Sequence, residues 1–113
     1  MAMQTVLYPS RDLDASKRVF TALLGTGPTT DEPYYVGYQI GDQQFGLVPN
    51  GHDNGMTGPV GHFHVDDIAA TIKSLVEAGG TENQPAHDVG GGRLVAIVDD
   101  PDGNPIGLIQ SPW

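Results

Sequence analysis

The stretch Gly58-Pro59-Val60-Gly61-His62-Phe63-His64-Val65-Asp66-Asp67-Ile68, with the segment that follows it to Gly79-Gly80, decides the fold. Side chains of an extended chain alternate faces with period two. Val60, His62 and His64 therefore share one face, and Gly61, Phe63 and Val65 the other. Phe63 and Val65 suit a face covered by a helix. Two imidazoles in a dry core would each need a polar partner, so the histidine face is expected to line a cleft or solvent. From Asp66 the period changes. Ile68, Ile72, Leu75 and Val76 fall along one helical face. Asp66 or Asp67 is placed to cap the orphan amides at the helix start, and Gly79-Gly80 permits a left-handed exit.

The N-terminal half carries the same pattern. Residues 5–10 read as a strand, and Asp12 caps a helix reaching Leu24, with Leu13, Phe20, Leu23 and Leu24 in its apolar stripe and Gly25 at its end. Asp12 and Asp67 are 55 positions apart. At that offset Leu13 matches Ile68, Phe20 matches Leu75 and Gly25 matches Gly80, so both helices are expected to start and stop at matching points. Residues 26–33 form a loop with room for a short edge strand. Residues 34–40 and 43–49 are strands joined by the turn Gly41-Asp42. That turn sets Ile40 opposite Gln43, Gln39 opposite Gln44 and Tyr35 opposite Val48. One face then carries Tyr35, Gly37, Gln39, Gln44, Gly46 and Val48. The other carries Val36, Tyr38, Phe45 and Leu47 and is the better core face. In the second half, residues 81–85 form a further strand, 86–92 a loop, 93–99 and 105–110 a hairpin turned by Asp100-Pro101-Asp102-Gly103-Asn104.

Each half thus reads strand, helix, strand, strand, strand. The fold expected is α+β, one domain of residues 1–113 made of two βαβββ modules in tandem (1–50 and 58–113, with a polar linker over 51–57). The modules form a curved mixed sheet around a cleft, with the helices on the convex face.

Composition limits the function. Fourteen acidic residues against five basic ones give a formal net charge of −9. That charge opposes binding nucleic acid through its phosphates. It tolerates a cationic ligand, and equally suits a plain solvated surface. The chain has no cysteine, which excludes disulfides and thiolate metal sites. No apolar run approaches the roughly 20 residues of a membrane helix, and the first residues do not read as a signal peptide. A cytoplasmic location with no membrane partner is expected. Gly90-Gly91-Gly92 is followed by Arg93 and lacks the Lys-Ser/Thr of a phosphate loop. Asp100-x-Asp102-x-Asn104 imitates a calcium loop but continues with Pro105 where a glycine is needed. His52 and His87 are expected in solvent, and Trp113 is free to fold back over a pocket or a partner.

The helix entry at Asp12-Leu13, the second at Val65-Asp66-Asp67-Ile68, and the hairpin Asp100 to Asn104 before Ile106-Gly107-Leu108 resemble, in order and spacing, the vicinal oxygen chelate superfamily. That group includes glyoxalase I, extradiol dioxygenases, fosfomycin-resistance enzymes and bleomycin-resistance binding proteins. The resemblance implies a dimer, here a homodimer. Its metal-using members draw His, Glu or Gln ligands from the first and last strand of each module. Those positions here are Thr5, Gly46, Val60 and Gly107. None is a usual ligand for zinc, iron or nickel, so no metal and no other cofactor is expected. The resemblance also makes the face of Val60, His62 and His64 the concave, ligand-binding one. The ligand-binding set is Leu7, Tyr35, Gln39, Gln44, Val48, Val60, His62, His64 and Ile109, beside Thr5, with Gly46 and Gly107 leaving space.

Three readings of His62 and His64 stay open: contact with a ligand, structural hydrogen bonding, and a His-x-His metal pair. Two functions follow. One is a metal-free binding protein for a small organic molecule, an antibiotic or a metabolite. The other is a lyase, isomerase or cofactor-independent oxygenase in which His62 or His64 is the catalytic acid or base. A glyoxalase-like metalloenzyme with relocated ligands is the third and weakest.

Overall fold

The structure, a computed structural model, describes residues 2–112, with side chains over 5–112. Trp113, the residue expected to fold back, lies outside them. The elements in chain order are β1 (Ala2–Pro9), α1 (Leu13–Leu24), β2 (Thr30–Glu32), β3 (Tyr35–Ile40), β4 (Gln43–Val48), β5 (Val60–His64), α2 (Ile68–Glu77), β6 (Thr81–Asp88), β7 (Leu94–Asp99) and β8 (Pro105–Gln110). The chain is therefore α+β with two βαβββ modules in tandem. Its contacts divide it into two compact units, Gln4–Val60 and the residues from Gly61 on, with Ala2 and Met3 grouped with the latter.

In the first module the strand order is β2-β3-β4-β1. The β3–β4 hairpin has the expected register, with Ile40 opposite Gln43, Gln39 opposite Gln44 and Val36 opposite Leu47. Gly41 takes the positive φ of 57° that this two-residue turn needs. β1 lies parallel to β4, with Leu7 beside Gly46. Leu13, Phe20 and Leu24 of α1 cover Val36, Tyr38 and Leu47, with Tyr8 and Phe45 at the margin. Tyr8 and Phe20 meet with ring centroids 5.0 Å apart. Tyr38 is buried, and its hydroxyl donates to the Lys17 carbonyl at 3.1 Å, which satisfies the polar end of a core ring. Leu23, expected in the stripe, is 73% exposed. It sits almost a quarter-turn from the line through Leu13, Phe20 and Leu24, beyond the reach of the sheet.

The second module has the order β5-β8-β7-β6. Val65, Ile68, Ile72, Ala96, Val98 and Leu108 form its core, with Phe63, Leu75, Leu94 and Ile106 against it. Val76 stands at the rim of this helical face and is exposed. β5 and β8 are parallel, and His62 lies beside Gly107.

The repeat extends to individual hydrogen bonds. Asp12 caps α1 by accepting from the Ala15 amide at 3.1 Å, and Asp67 caps α2 by accepting from the Ala70 amide at 3.1 Å. The residue closing the first strand's exit bonds to the last strand in each module: Ser10 N–H donates to the Val48 carbonyl, and Val65 N–H to the Ile109 carbonyl. The helix ends differ. α1 stops at Gly25 in the left-handed conformation, φ 71°. α2 is two residues shorter, and closes with Gly80 N–H on the Leu75 carbonyl and Gly79 N–H on the Val76 carbonyl. That pair of bonds is a Schellman turn, and Gly79 supplies its positive φ.

β6 runs three residues further than expected, through Ala86, His87 and Asp88. Register shifts on both sides of Gln84 take Pro85, which has no amide hydrogen to donate, out of the ladder. His87 is exposed as expected, but in a strand; His52 is half-buried rather than in open solvent.

Candidate functional site

Because α1 and α2 cover one face of each four-stranded sheet, the opposite face of each carries the predicted site residues. In the first module these are Leu7 on β1, Tyr35 and Gln39 on β3, and Gln44 and Val48 on β4. Thr5 is 4% exposed, and its hydroxyl donates to Gln44 Oε1 at 3.1 Å. Gln39 is exposed, and its amide donates to the Gly41 carbonyl at 2.6 Å in the turn. Val60, the first residue of β5, is buried.

Gly46 was expected to leave space, and it does not. A Cβ at Gly46 would collide with the Tyr35 hydroxyl and come within 2.6 Å of Leu7 Cδ2, while one at Gly37 would sit 2.8 Å from Tyr35 Cε2. The two glycines let the Tyr35 ring lie down along the sheet. The period of the strand sets the face of Tyr35 but not its rotamer, so this use of the glycines was not visible in the sequence.

In the second module the helix-free face carries His62 and His64 on β5 and Ile109 on β8. His62 was expected to line a cleft or solvent; it is 3% exposed. Its ring lies against Gly107, where a Cβ would come within 2.5 Å of Cγ, Cδ2 and Nδ1. Gly107, like Gly46, therefore leaves no room. Ile109 is also buried. His64 is half-buried, and burial pushes its pKa below the ordinary histidine value, with the Arg93 charge adding to the effect. Arg93 was not singled out in the sequence. Counting back by two from Val95, which pairs with Ile109, would have put it on this face.

The four strand positions that carry a metal in relatives do not fit one here. Thr5 is engaged by Gln44, Val60 has no donor, and the volumes beside Gly46 and Gly107 hold Tyr35 and His62. Among the described residues no group of three or more His, Cys, Asp or Glu side chains is placed to hold a metal ion.

A groove of about 530 Å³ lies elsewhere, between Lys17, Arg18 and Thr21 of α1 and Gly27, Pro28 and Asp31. Most of its walls are exposed, and Lys17 and Asp31 are joined by an ion pair of 3.0 Å. It has no buried polar group to orient a ligand.

The fold and these faces define a class. The chain matches the Glyoxalase/Bleomycin resistance protein/Dioxygenase superfamily over residues 2–108, and it belongs to that superfamily. It is 35% identical to a probable lactoylglutathione lyase of Vibrio parahaemolyticus over 88% of its length and 83% of the relative's. It is 34% identical to the lactoylglutathione lyase of Haemophilus influenzae, over 88% and 85%. A putative glyoxylase of Mycobacterium tuberculosis is 29% identical over 88% of this chain, and the chain spans 42% of that relative. Among solved structures, methylmalonyl-CoA epimerase from M. tuberculosis has the same fold, with a TM-score of 0.73 at 16% identity over 97% of this chain and 87% of that one. No helix among the described residues is long and apolar enough to cross a membrane.

Proposed function

We propose that this protein is a metal-independent member of the superfamily that binds a small organic molecule, a metabolite or an antibiotic, on the helix-free faces of its modules. The ligand-facing residues of the first module are Leu7, Tyr35, Gln39, Gln44 and Val48, and those of the second are Val60, His62, His64 and Ile109. One observation carries this reading: two of the four positions that would bind a metal are glycines whose side-chain space is filled by Tyr35 and His62. An apolar surface with a few polar groups remains, which is the usual make-up of a small-molecule site. The reading includes a homodimer in the cytoplasm, as in the family it resembles.

A ligand screen by thermal shift tests the proposal. A true ligand at a hundredfold excess over its dissociation constant stabilises the fold by about 2.7 kcal/mol. Replacing Tyr35 or His64 by alanine should abolish that stabilisation. Ligand recovered unchanged after long incubation identifies a binding protein.

A second reading is catalytic, and His64 favours it. Burial, and then the Arg93 charge, lower the pKa of its imidazole and so favour the neutral form, which suits a general base. A lyase, isomerase or cofactor-independent oxygenase would use it so, with the buried His62 two residues before it on the same face of β5. Turnover of a ligand from the screen, lost in His64→Gln with binding retained, selects this reading.

A further inference from the structure

The segment Asn50-Gly51-His52-Asp53-Asn54-Gly55-Met56 contains the pair Asn-Gly twice, four residues apart. Both asparagines are exposed. A glycine after an asparagine puts no side chain beside the backbone nitrogen that follows, and it lets the chain turn freely there. That nitrogen can then reach the asparagine side-chain carbonyl. The structure gives the two pairs opposite surroundings. Gly51 is buried, and a Cβ there would come within 2.6 Å of Pro9 Cβ and 2.9 Å of Met56 Sδ. Its carbonyl accepts from the Asn54 and Met56 amides at 3.1 and 2.9 Å, and its amide donates to the Val48 carbonyl at 3.4 Å. Turning the peptide between Asn50 and Gly51 therefore unseats the whole loop. Gly55 is exposed, a Cβ there would meet nothing within 4 Å, and its φ is 91°. Its amide donates to the His52 carbonyl at 3.1 Å. That bond closes within the loop and can open without lifting Gly51 from Pro9 and Met56.

We infer that Asn54 is a site of spontaneous deamidation and that the packing of Gly51 protects Asn50 from the same reaction. The Gly55 amide nitrogen gives its proton to solvent and bonds to Asn54 Cγ. The bond from Cγ to the side-chain nitrogen breaks, and that nitrogen takes up a proton from solvent and leaves as ammonia. A cyclic imide remains, and water opens it. Cleavage between Cγ and the Gly55 nitrogen gives aspartate in an ordinary chain. Cleavage between the main-chain carbonyl and that nitrogen gives isoaspartate, whose backbone runs through Cβ and Cγ. Each conversion consumes a water and releases an ammonia, and nothing is oxidised or reduced. The product adds a negative charge beside Asp53, in a chain whose net charge is already −9. In isoaspartate the main chain is also longer by a carbon, inside the linker between the two modules. The reaction needs no ligand and is independent of the function proposed above.

The test follows the full-length protein through incubation in mildly alkaline buffer, once native and once in urea. Digestion with a protease that cuts before aspartate separates Asn50 from Asn54 at Asp53, and mass spectrometry reads the exchange of –NH2 for –OH in each fragment. In the native protein Asn54 should convert about tenfold or more faster than Asn50, because Asn50 reacts only when the loop opens. In urea both glycines are released, and the two rates should converge. Asn54→Gln should remove the conversion at that position, since its longer side chain closes a less favourable ring. Equal rates in the native protein, faster conversion at Asn50, or no native conversion at Asn54 over a time in which it converts in urea overturns the assignment. A rate difference that persists unchanged in urea belongs to the sequence alone and overturns the protection by Gly51.

Discussion

The imidazole of His62 occupies the volume that a side chain at Gly107 would need: a Cβ there would lie 2.5 Å from three ring atoms. The residue that most invites a catalytic or metal role thus also fills a packing position. Burial at 3% exposure suits that position, because an imidazole can be taken from water only with its polar atoms satisfied.

The contact predicts a coupled energetic effect. Gly107→Ala should destabilise the protein by about 1–3 kcal/mol, the usual cost of overpacking a core. In a His62→Ala background the same change should cost much less, because the ring it meets is gone. Urea unfolding of the two single variants and the double variant gives the coupling, expected in the range of about 0.5–3 kcal/mol for residues in contact. Gly46→Ala against Tyr35→Ala is the equivalent experiment in the first module.

The two helix caps make a second prediction. Asp12 and Asp67 accept from the amide three residues on at the same distance, 3.1 Å. Replacing either by alanine should cost about 1 kcal/mol, and the two losses should be of similar size. Chemical denaturation of Asp12→Ala and Asp67→Ala checks this.

His64 predicts a pH dependence. Its pKa is lowered by burial and then by Arg93, so the unfolded chain takes up a proton at this site at a higher pH than the folded one. Stability therefore rises with pH across that interval. The contribution of His64 is fully present above its unfolded value of about 6.5 and is lost as pH falls toward the folded value. His64→Gln should flatten the stability curve below that pH. An NMR titration should put the ring below 6.5, and Arg93→Gln should move it up only part of the way, because burial is the larger cause.

Much of the fold was legible because its signals are local. Alternation assigned Phe63, Val65, Val36, Tyr38 and Leu47 to the helix-covered faces, and an aspartate at each helix start with a glycine after each end marked both helices. What escaped depends on packing. The burial of His62 and the recumbent ring of Tyr35 depend on the glycines beside them, and a glycine in a strand reads equally as empty space or as filled space. The extension of β6 past Pro85 depends on bulges, which the pattern of a single strand does not encode. Arg93 was hidden behind three glycines that drew the eye to a loop.

The central claim is that the chain's own side chains have taken over the corners where relatives hold an ion. The most direct measurement is the metal content of the purified protein, by mass spectrometry, after incubation with zinc, nickel, manganese and ferrous iron in turn and removal of free ions. The account predicts far less than one ion per chain for every metal, and no change in melting temperature with or without chelator. One tightly held ion per chain, lost in His62→Ala, would contradict it.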